Sequence, residues 1–233
     1  MKNSIFKLFG IGEKDLKVIL SDIFLDSEGV LITITEGQSD LSLKLEAEDS
    51  NLNFDRISST IFERLSNFIY AEENISLPEA LFQLLKFNGL KLAVAESITA
   101  GNICATFVKN NPGASEILVE GDVVYTEDAK MRMLGVSEEV LKINTAVSAQ
   151  TTYDMAKGLL NKCEANVVIA TTGYAGGDNN NDNGLCYIAI GDRSKIDVYK
   201  NNFVGTRSEV IEIVTMASMF YLIKKLRKKD FAL

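Results

Sequence analysis

The feature that most constrains the fold of this chain is an alternation of short apolar runs with helical segments after Leu90. Each apolar run has the length of a buried strand, and the segments between the runs repeat their apolar residues with helical spacing. We predict strands at 91–95, 117–125, 166–171, 185–190 and 197–203, and helices at 99–109, 127–134, 137–143, 149–162 and 206–228. This alternation predicts a three-layer α/β/α sandwich, in which helices cover both faces of one sheet.

The first part of the chain has a different pattern, which predicts a separate small domain. A weakly alternating stretch, two helical segments and two strand-like runs give the order β-α-β-β-α of an α+β domain. A polar break at 72–74 follows, and Ser76 and Glu79 then have the spacing of a capping box, which opens a new helix. We therefore expect two domains, at 1–75 and 76–233.

Composition and the lengths of the apolar stretches lead us to expect neither a membrane protein nor a secreted one. Of the 233 residues, 46% are hydrophobic and 24% are charged, which is typical of globular domains. The longest apolar stretches are far shorter than the roughly 20 residues of a membrane span, and the start lacks the apolar region of a secretory signal. Cys104, Cys163 and Cys186 lack C-x-x-C spacing and fit buried thiols in a reducing compartment. We expect a soluble cytoplasmic protein that does not bind membranes.

Charge opposes nucleic acid as a partner. The net charge is −8, and residues 1–88 hold 8 Lys and Arg against 15 Asp and Glu. Affinity for nucleic acid comes mainly from cations that neutralise phosphates, so an acidic first domain does not fit that role. The basic residues at 224–229 end a helical pattern, where cations complement the helix dipole.

The chain contains no histidine. This excludes Ser-His-Asp and Cys-His catalytic units and any zinc site that needs imidazole. The asparagine-rich stretch at 178–184 resembles the start of a calcium loop. However, Asn183 and Ala189 occupy the positions at which an EF-hand needs glycine and glutamate. We therefore expect no metal, and any catalysis has to move protons with Lys, Tyr, Asp or Glu.

Two stretches have residue types that suit a catalytic site. Ser97 follows a predicted strand and precedes a predicted helix, where unpaired amides can hold an oxyanion. The structural alternative is that Ser97 or Thr99 caps the helix. Tyr125 closes the next strand and Lys130 lies in the first turn of a helix that Thr126 caps. A desolvated lysine can activate a serine, whereas the alternative is a surface lysine and an interface tyrosine.

The glycine-rich turn at 171–177 directly follows a buried strand. Open α/β sheets bind ligands outside the carboxyl ends of their strands, and exposed amides in such a turn can cradle a phosphate or a ribose. The alternative is a tight loop that needs glycine only for its backbone angles.

Taken in order, these stretches resemble the carboxy-terminal domain of the competence-damage-inducible (CinA) family. The resemblance runs from about Ser76 to Leu226 and rests on residues 92–97, 123–125, 129–130, 134–136, 146–148, 155–158 and 172–176. Active members of that family deamidate nicotinamide mononucleotide. The resemblance therefore implies an amidohydrolase that releases nicotinic acid mononucleotide and ammonia without a cofactor. The first 70 residues are similar to the KH-like domain of the same family.

The resemblance also implies roles for individual residues. Ser97 would be the nucleophile, and Tyr125 and Lys130 would complete its activation. The residues implied for substrate binding are Thr99, Ala100, Gly101, Thr172, Gly173, Gly176 and Arg207. The first three would give amides to the oxyanion, the next three would line the nucleotide pocket, and the arginine would hold the substrate phosphate as a fork of donors. The resemblance further suggests a homo-oligomer, at least a dimer.

The chain departs from the family pattern in three places around the expected pocket. The family has Cys-Thr-Gly-Gly after the serine, whereas this chain has Ile98-Thr99-Ala100-Gly101. Residues 176–179 replace a Gly-Pro-Gly-Gly region, and residues 144–148 replace a His-Gly-Ala-Val-Ser segment. These changes motivate two alternatives: a member without catalysis that binds a nucleotide or a protein, and a hydrolase for a different amide.

Overall fold

The computed structural model describes residues 1–37, 39–176 and 183–230, and the chain divides into two compact units at residues 80 and 81. The division lies inside a helix that begins at Leu77, slightly beyond the domain boundary expected near residue 75. Within the described ranges, none of the helices combines the length and the apolar character that crossing a bilayer requires.

The first unit is a four-stranded antiparallel sheet with helices on one face. Its elements are β1 (Lys2–Leu8), α1 (Glu13–Ile19), α2 (Ser21–Leu25), β2 (Val30–Glu36), β3 (Leu41–Ala47), α3 (Phe54–Leu65) and β4 (Ile69–Ala71). The strand order is β2-β3-β1-β4, and Phe6 pairs with Leu43 while Leu8 pairs with Leu41. Because side chains alternate along a strand, this register buries all four on the helix-covered face. The expected α+β fold is confirmed, and β4 is an additional strand.

The second unit contains a five-stranded sheet. Its elements, beginning with the helix that crosses the division, are α4 (Leu77–Phe87), β5 (Leu92–Glu96), α5 (Asn102–Asn110), a 3₁₀ turn (Ala114–Glu116), β6 (Leu118–Val123), α6 (Glu127–Leu134), α7 (Glu138–Asn144), α8 (Ala149–Lys162), β7 (Val167–Gly173), β8 (Leu185–Gly191), β9 (Ile196–Asn202) and α9 (Arg207–Asp230).

Helices cover both faces of this sheet, whose strand order is β6-β5-β7-β8-β9. On one face, Ala95 and Ala170 pack in a buried cluster with Met155 and Leu159 of α8. On the other face, α9 packs against β7 and β8, and α5 packs against β5 and α9. Strands buried on both faces are expected to be continuously apolar, as residues 92–95 of β5 and 167–170 of β7 are. The predicted α/β/α sandwich is confirmed.

The direction of three strands brings their carboxyl ends to one edge of the sheet. Strand β5 runs parallel to both β6 and β7, and Glu96 is in register with Val123 and Thr171. The residues that follow these strands therefore lie side by side, at the edge where open α/β sheets bind ligands. Three of the sequence stretches singled out for chemistry meet at this edge.

Candidate active site

The turn between β5 and α5 places Ser97. We predicted a helix from residue 99, but α5 begins only at Asn102. The reason is that Ala100 and Gly101 have φ angles of +49° and +97°, and a right-handed helix cannot contain such residues. Gly101 is the N-cap residue, and as a glycine it has no side chain with which to cap the helix.

The carboxylate of Glu96 caps α5 from the end of β5. Its Oε2 accepts hydrogen bonds from the amides of Gly101 at 2.9 Å and Ile103 at 3.0 Å, and its Oε1 accepts one from Cys104 at 2.9 Å. The Glu96 side chain is 0% exposed. Since a helix leaves four amide donors unpaired at its start, this carboxylate satisfies most of them. Sequence reasoning missed Glu96, and the alternative that Ser97 or Thr99 caps α5 is wrong.

Ser97 and Lys130 form a buried pair. The Lys130 Nζ donates hydrogen bonds to Ser97 Oγ at 2.9 Å and to the Val124 carbonyl at 2.9 Å. The lysine is only 1% exposed, so the surface-lysine alternative is wrong. It lies on α6, which Thr126 caps as predicted, by accepting the Ala129 amide at 3.1 Å.

The environment of the pair makes the protonated form of the lysine less favourable than it is in water. Burial lowers the pKa of Lys130 from 10.5 to about 8, and the nearby Glu127 carboxylate opposes the shift only in part. Desolvation has this effect because it penalises the charged form of a side chain. A lysine with a pKa of about 8 is far more often neutral near neutral pH than an ordinary lysine, and the neutral form can accept a proton from the serine.

Tyr125 contacts Arg207. The Arg207 Nη2 donates to the Tyr125 hydroxyl at 3.0 Å, and its Nη1 donates to the Gly176 carbonyl at 2.9 Å. Tyr125 is 56% exposed. Among the hydrogen bonds of the described residues, none joins the Tyr125 hydroxyl to Ser97 or Lys130. The structure therefore places this tyrosine with the arginine at the cavity, and its expected direct part in activating Ser97 is not seen.

A cavity of about 310 Å³ opens beside the serine. The predicted site residues that line it are Ser97, Tyr125, Lys130, Thr172, Gly173, Gly176 and Arg207. The apolar part of the wall consists of Ile98, Ala146, Val147, Tyr174 and Ala175, which sequence reasoning placed near the expected pocket without giving any of them a binding role. The other predicted residues, Thr99, Ala100 and Gly101, do not line the cavity.

The role in oxyanion binding expected of the Ala100 and Gly101 amides needs correction, whereas the role expected of the Thr99 amide stays a prediction. The Gly101 amide donates to Glu96, and the Ala100 amide donates to the Ser97 carbonyl at 3.2 Å. Both amides are thus engaged within the turn. Thr99 is buried, and its hydroxyl shares a hydrogen bond of 2.9 Å with the Thr171 hydroxyl. The segment therefore fixes the geometry of the turn and does not present these groups to a ligand.

Gly173 and Gly176 line the cavity, and at both positions the backbone requires or favours glycine. A Cβ atom on Gly173 would lie 2.6 Å from the Leu185 carbonyl oxygen and 2.7 Å from Ile98 Cδ1. Gly176 has a φ of +97°, which favours glycine. The adjacent Thr172 donates through its hydroxyl to the Ala146 carbonyl at 2.8 Å, which ties the cavity wall to β7. Of the asparagine-rich stretch, residues 178–182 lie outside the described residues.

The chain is thus an α/β protein with a mixed sheet and a candidate Ser–Lys site. The buried pair lies at the carboxyl edge of the sheet, beside a cavity that an arginine lines. The protein-family model of the CinA C-terminal domain matches residues 74–226 of this sequence. The chain therefore belongs to the CinA family, as the sequence motifs predict.

Individual relatives agree with this assignment. A putative competence-damage inducible protein of Caldicellulosiruptor bescii is 34% identical over 230 residues, which cover 95% of this chain and 56% of that protein. A protein of the same description from Clostridioides difficile is 33% identical over 219 residues, which cover 88% of this chain and 52% of that protein. The chain spans about half the length of the curated relatives it matches.

Solved structures of the CinA superfamily have a similar fold. A superfamily protein from Klebsiella pneumoniae superposes with a TM-score of 0.62 at 29% identity and covers 65% of this chain and 96% of its own. A competence or damage-inducible protein from Enterobacter asburiae gives a TM-score of 0.61 at 33% identity and covers 64% of this chain and 96% of its own.

Proposed function

We propose that this chain is an amidohydrolase that converts nicotinamide mononucleotide to nicotinic acid mononucleotide and ammonia. The observation that carries the proposal is the 2.9 Å hydrogen bond between the buried Lys130 amine and the Ser97 hydroxyl, at the wall of the cavity. A serine needs a base to act as a nucleophile, and a desolvated lysine is the base in Ser–Lys sites. In a chain without histidine, this pair is the arrangement that supports hydrolysis.

In the proposed reaction, a proton moves between the Ser97 hydroxyl and the Lys130 amine. The neutral Lys130 amine takes the proton of the Ser97 hydroxyl while the serine oxygen bonds to the carboxamide carbon. The lysine then returns that proton to the amide nitrogen, the carbon–nitrogen bond breaks, and ammonia leaves an acyl ester on the serine. A water molecule hydrolyses the ester and releases the acid, with Lys130 again accepting and returning a proton. These steps need no cofactor.

The oxyanion requires a donor other than the Ala100 and Gly101 amides. The hydrogen bond from the Ala100 amide to the Ser97 carbonyl closes a turn, and the amides of the two central residues of such a turn point away from that bond. Ile98 is the central residue that lines the cavity, and no hydrogen bond engages its amide among those of the described residues. We therefore assign the Ile98 amide to the oxyanion.

Arg207 supports a phosphorylated substrate. Its guanidinium has five N–H donors, and the contacts with Gly176 and Tyr125 use two of them. Among the hydrogen bonds of the described residues, none uses the remaining donors, and these can bind a phosphate at the cavity. The apolar wall at Ile98 and Val147 suits the pyridine ring at the other end of the substrate.

The test is ammonia release from nicotinamide mononucleotide by the purified chain and its Ser97→Ala variant. We expect the variant to lose about 10⁴-fold or more of kcat, because removing the nucleophile from a concerted unit removes most of its catalysis. Ser115→Ala, an exposed serine in the 3₁₀ turn, is the matched control and should retain full activity. Near-normal turnover by Ser97→Ala contradicts the proposal.

Two further measurements separate the alternatives. Free nicotinamide lacks the phosphate, and we expect its kcat/KM to be at least about 10-fold lower, since a hydrogen bond to a charged group contributes about 1.5–3 kcal/mol. Comparable turnover of both amides favours a hydrolase for a different amide. Thermal stabilisation by the mononucleotide without any ammonia release favours a binding module that has lost catalysis.

A further inference from the structure

Glu96 is a buried ionisable residue that the proposed mechanism does not use. It immediately precedes the serine, it is 0% exposed, and its carboxylate accepts three backbone amides of the turn and of α5. We propose that Glu96 is the positioning residue that holds the Ser97 hydroxyl towards Lys130. This inference rests on the proposed role of Ser97 as the nucleophile.

The need for such a residue follows from how helices begin. Serine and threonine are among the best capping residues, and both Ser97 and Thr99 lie in the turn that precedes α5. If the Ser97 side chain rotated so that its hydroxyl accepted a helix amide, the hydroxyl would move out of its present hydrogen bond with Lys130. Because the Glu96 carboxylate satisfies these amides from outside the turn, the Ser97 hydroxyl stays with the lysine.

The carboxylate also holds the backbone that carries Ser97. The Glu96 Oε2 holds the Gly101 amide at one end of the turn, and the Ala100 amide donates back to the Ser97 carbonyl. On the other side, the Ser97 amide donates to the Thr171 carbonyl of β7 at 3.0 Å. Both ends of the serine backbone are thus held, and the end towards α5 depends on Glu96.

Glutamine cannot accept all three of the hydrogen bonds that this carboxylate accepts. A carboxylate offers two acceptor oxygens, whereas a side-chain amide offers one oxygen and an NH₂ group that donates. In Glu96→Gln, at least one amide of α5 would therefore face a second donor, and the turn would shift. A misplacement of about 1 Å in a catalytic geometry can lower a rate by about 10²-fold.

The inference also predicts what will not change. The lowered pKa of Lys130 comes from its own burial, and the charge that opposes the shift is that of Glu127. Removing the charge of Glu96 should therefore leave the midpoint of the pH profile where it is. The effect of the substitution is expected in kcat, and KM should stay within about twofold because Glu96 does not line the cavity.

The experiment compares wild type, Glu96→Gln and Glu79→Gln in two assays. The first is the rate at which a fluorophosphonate labels Ser97, a step that forms the oxygen–phosphorus bond, expels fluoride and leaves the serine proton on Lys130. The second is ammonia release from nicotinamide mononucleotide across pH. Glu79 is the matched control, since its carboxylate accepts the Ser76 amide at 2.7 Å at the start of α4 and does not line the cavity.

We expect Glu96→Gln to lower both the labelling rate and kcat by about 10- to 100-fold, with KM and the pH midpoint unchanged, while Glu79→Gln matches wild type. Labelling of Glu96→Gln at the wild-type rate overturns the inference, as does an equal loss in Glu79→Gln. If Glu96→Gln does not fold, Glu96→Asp keeps the charge but shortens the reach, and a wild-type labelling rate in that variant overturns the inference equally.

The two assays distinguish this inference from the proposed function. A wild-type chain that is labelled at Ser97 but releases no ammonia fails as an amidase of this nucleotide, and the labelling rates still decide the role of Glu96. A wild-type chain whose Ser97 is not labelled contradicts both.

Discussion

The charge of Lys130 links the chemistry of the site to pH. Its amine is almost completely buried beside Ser97, and only the neutral form can accept the serine proton. Burial lowers the pKa to about 8, so the neutral fraction rises as the pH increases through that value. We expect kcat/KM for ammonia release to rise with pH and to level off above a midpoint near 8.

A series of ammonia-release measurements from pH 6 to pH 9.5 checks this expectation. Lys130→Arg is the companion variant, because its guanidinium stays protonated throughout this range and should leave little activity at any pH. Activity that is constant across the range, or that falls as the pH rises, contradicts the role of the lysine as the base.

Ala100 is a second residue with a measurable consequence. Its φ of +49° lies in the left-handed region, which costs an ordinary L-residue about 1–2 kcal/mol. Glycine adopts this conformation freely but loses about 0.5–1 kcal/mol through the entropy of the unfolded chain. We therefore expect Ala100→Gly to leave the free energy of unfolding unchanged or to raise it by up to about 1 kcal/mol, as measured by urea denaturation.

Ala105→Gly is the matched control for this substitution. Ala105 is exposed within α5, where glycine is about 0.8–1 kcal/mol less favourable than alanine. The same chemical change should thus be destabilising at residue 105 and not at residue 100. An equal loss at both positions would show that Ala100 carries no strain.

At the scale of elements, the contact between α6 and α8 depends on a glycine. A Cβ atom on Gly158 would lie 1.9 Å from the Leu134 carbonyl oxygen at the end of α6, so the two helices would have to move apart. We expect Gly158→Ala to destabilise the fold by about 1–3 kcal/mol, although alanine is the better helix former. The measurement is urea denaturation.

The neighbouring substitution Lys157→Ala serves as the control. Lys157 is exposed on the same helix, and a change there should stay within about 0.5 kcal/mol of wild type. If Gly158→Ala is as stable as Lys157→Ala, the two helices do not pack as closely as the structure shows.

The elements also show where sequence reasoning succeeds and where it fails. The capping box at Ser76 was predicted correctly, because it joins two residues three positions apart whose types are diagnostic. The cap of α5 was missed, since Glu96 reaches it from a preceding strand across two left-handed residues. Strand β4 was missed because three residues are too few to show a period.

The candidate site was predictable to a similar degree. Motif order predicted that Ser97 and Lys130 belong together, and parallel strands explain why they meet. The partner of Tyr125 and the apolar wall at Val147 depend on how loops from distant parts of the chain pack, which residue types alone do not reveal.

At the scale of the whole molecule, the site residues all belong to the second unit. The buried pair, the arginine and the remaining described cavity wall lie after residue 80, and the first unit has a hydrophobic core of its own. The match to two solved relatives covers about two-thirds of this chain and almost the whole of each relative. We expect a fragment that begins at Ser76 to fold and to keep kcat/KM for ammonia release within about twofold of the full chain.

Circular dichroism and the ammonia assay on this fragment test the expectation. The same fragment with Ser97→Ala should be folded and inactive. A folded fragment that has lost turnover would show that the first unit completes the site.

The anchoring of Ser97 has a consequence for how such a site diversifies. The serine backbone is bonded to β7 through the Thr171 carbonyl, and the next hydroxyl, that of Thr99, is bonded to the side chain of the same threonine. By contrast, Val147 and Tyr174 of the cavity wall come from loops. Substitutions in those loops can reshape what the cavity accepts while the sheet keeps Ser97 in place, so the site can take new ligands without rebuilding its centre.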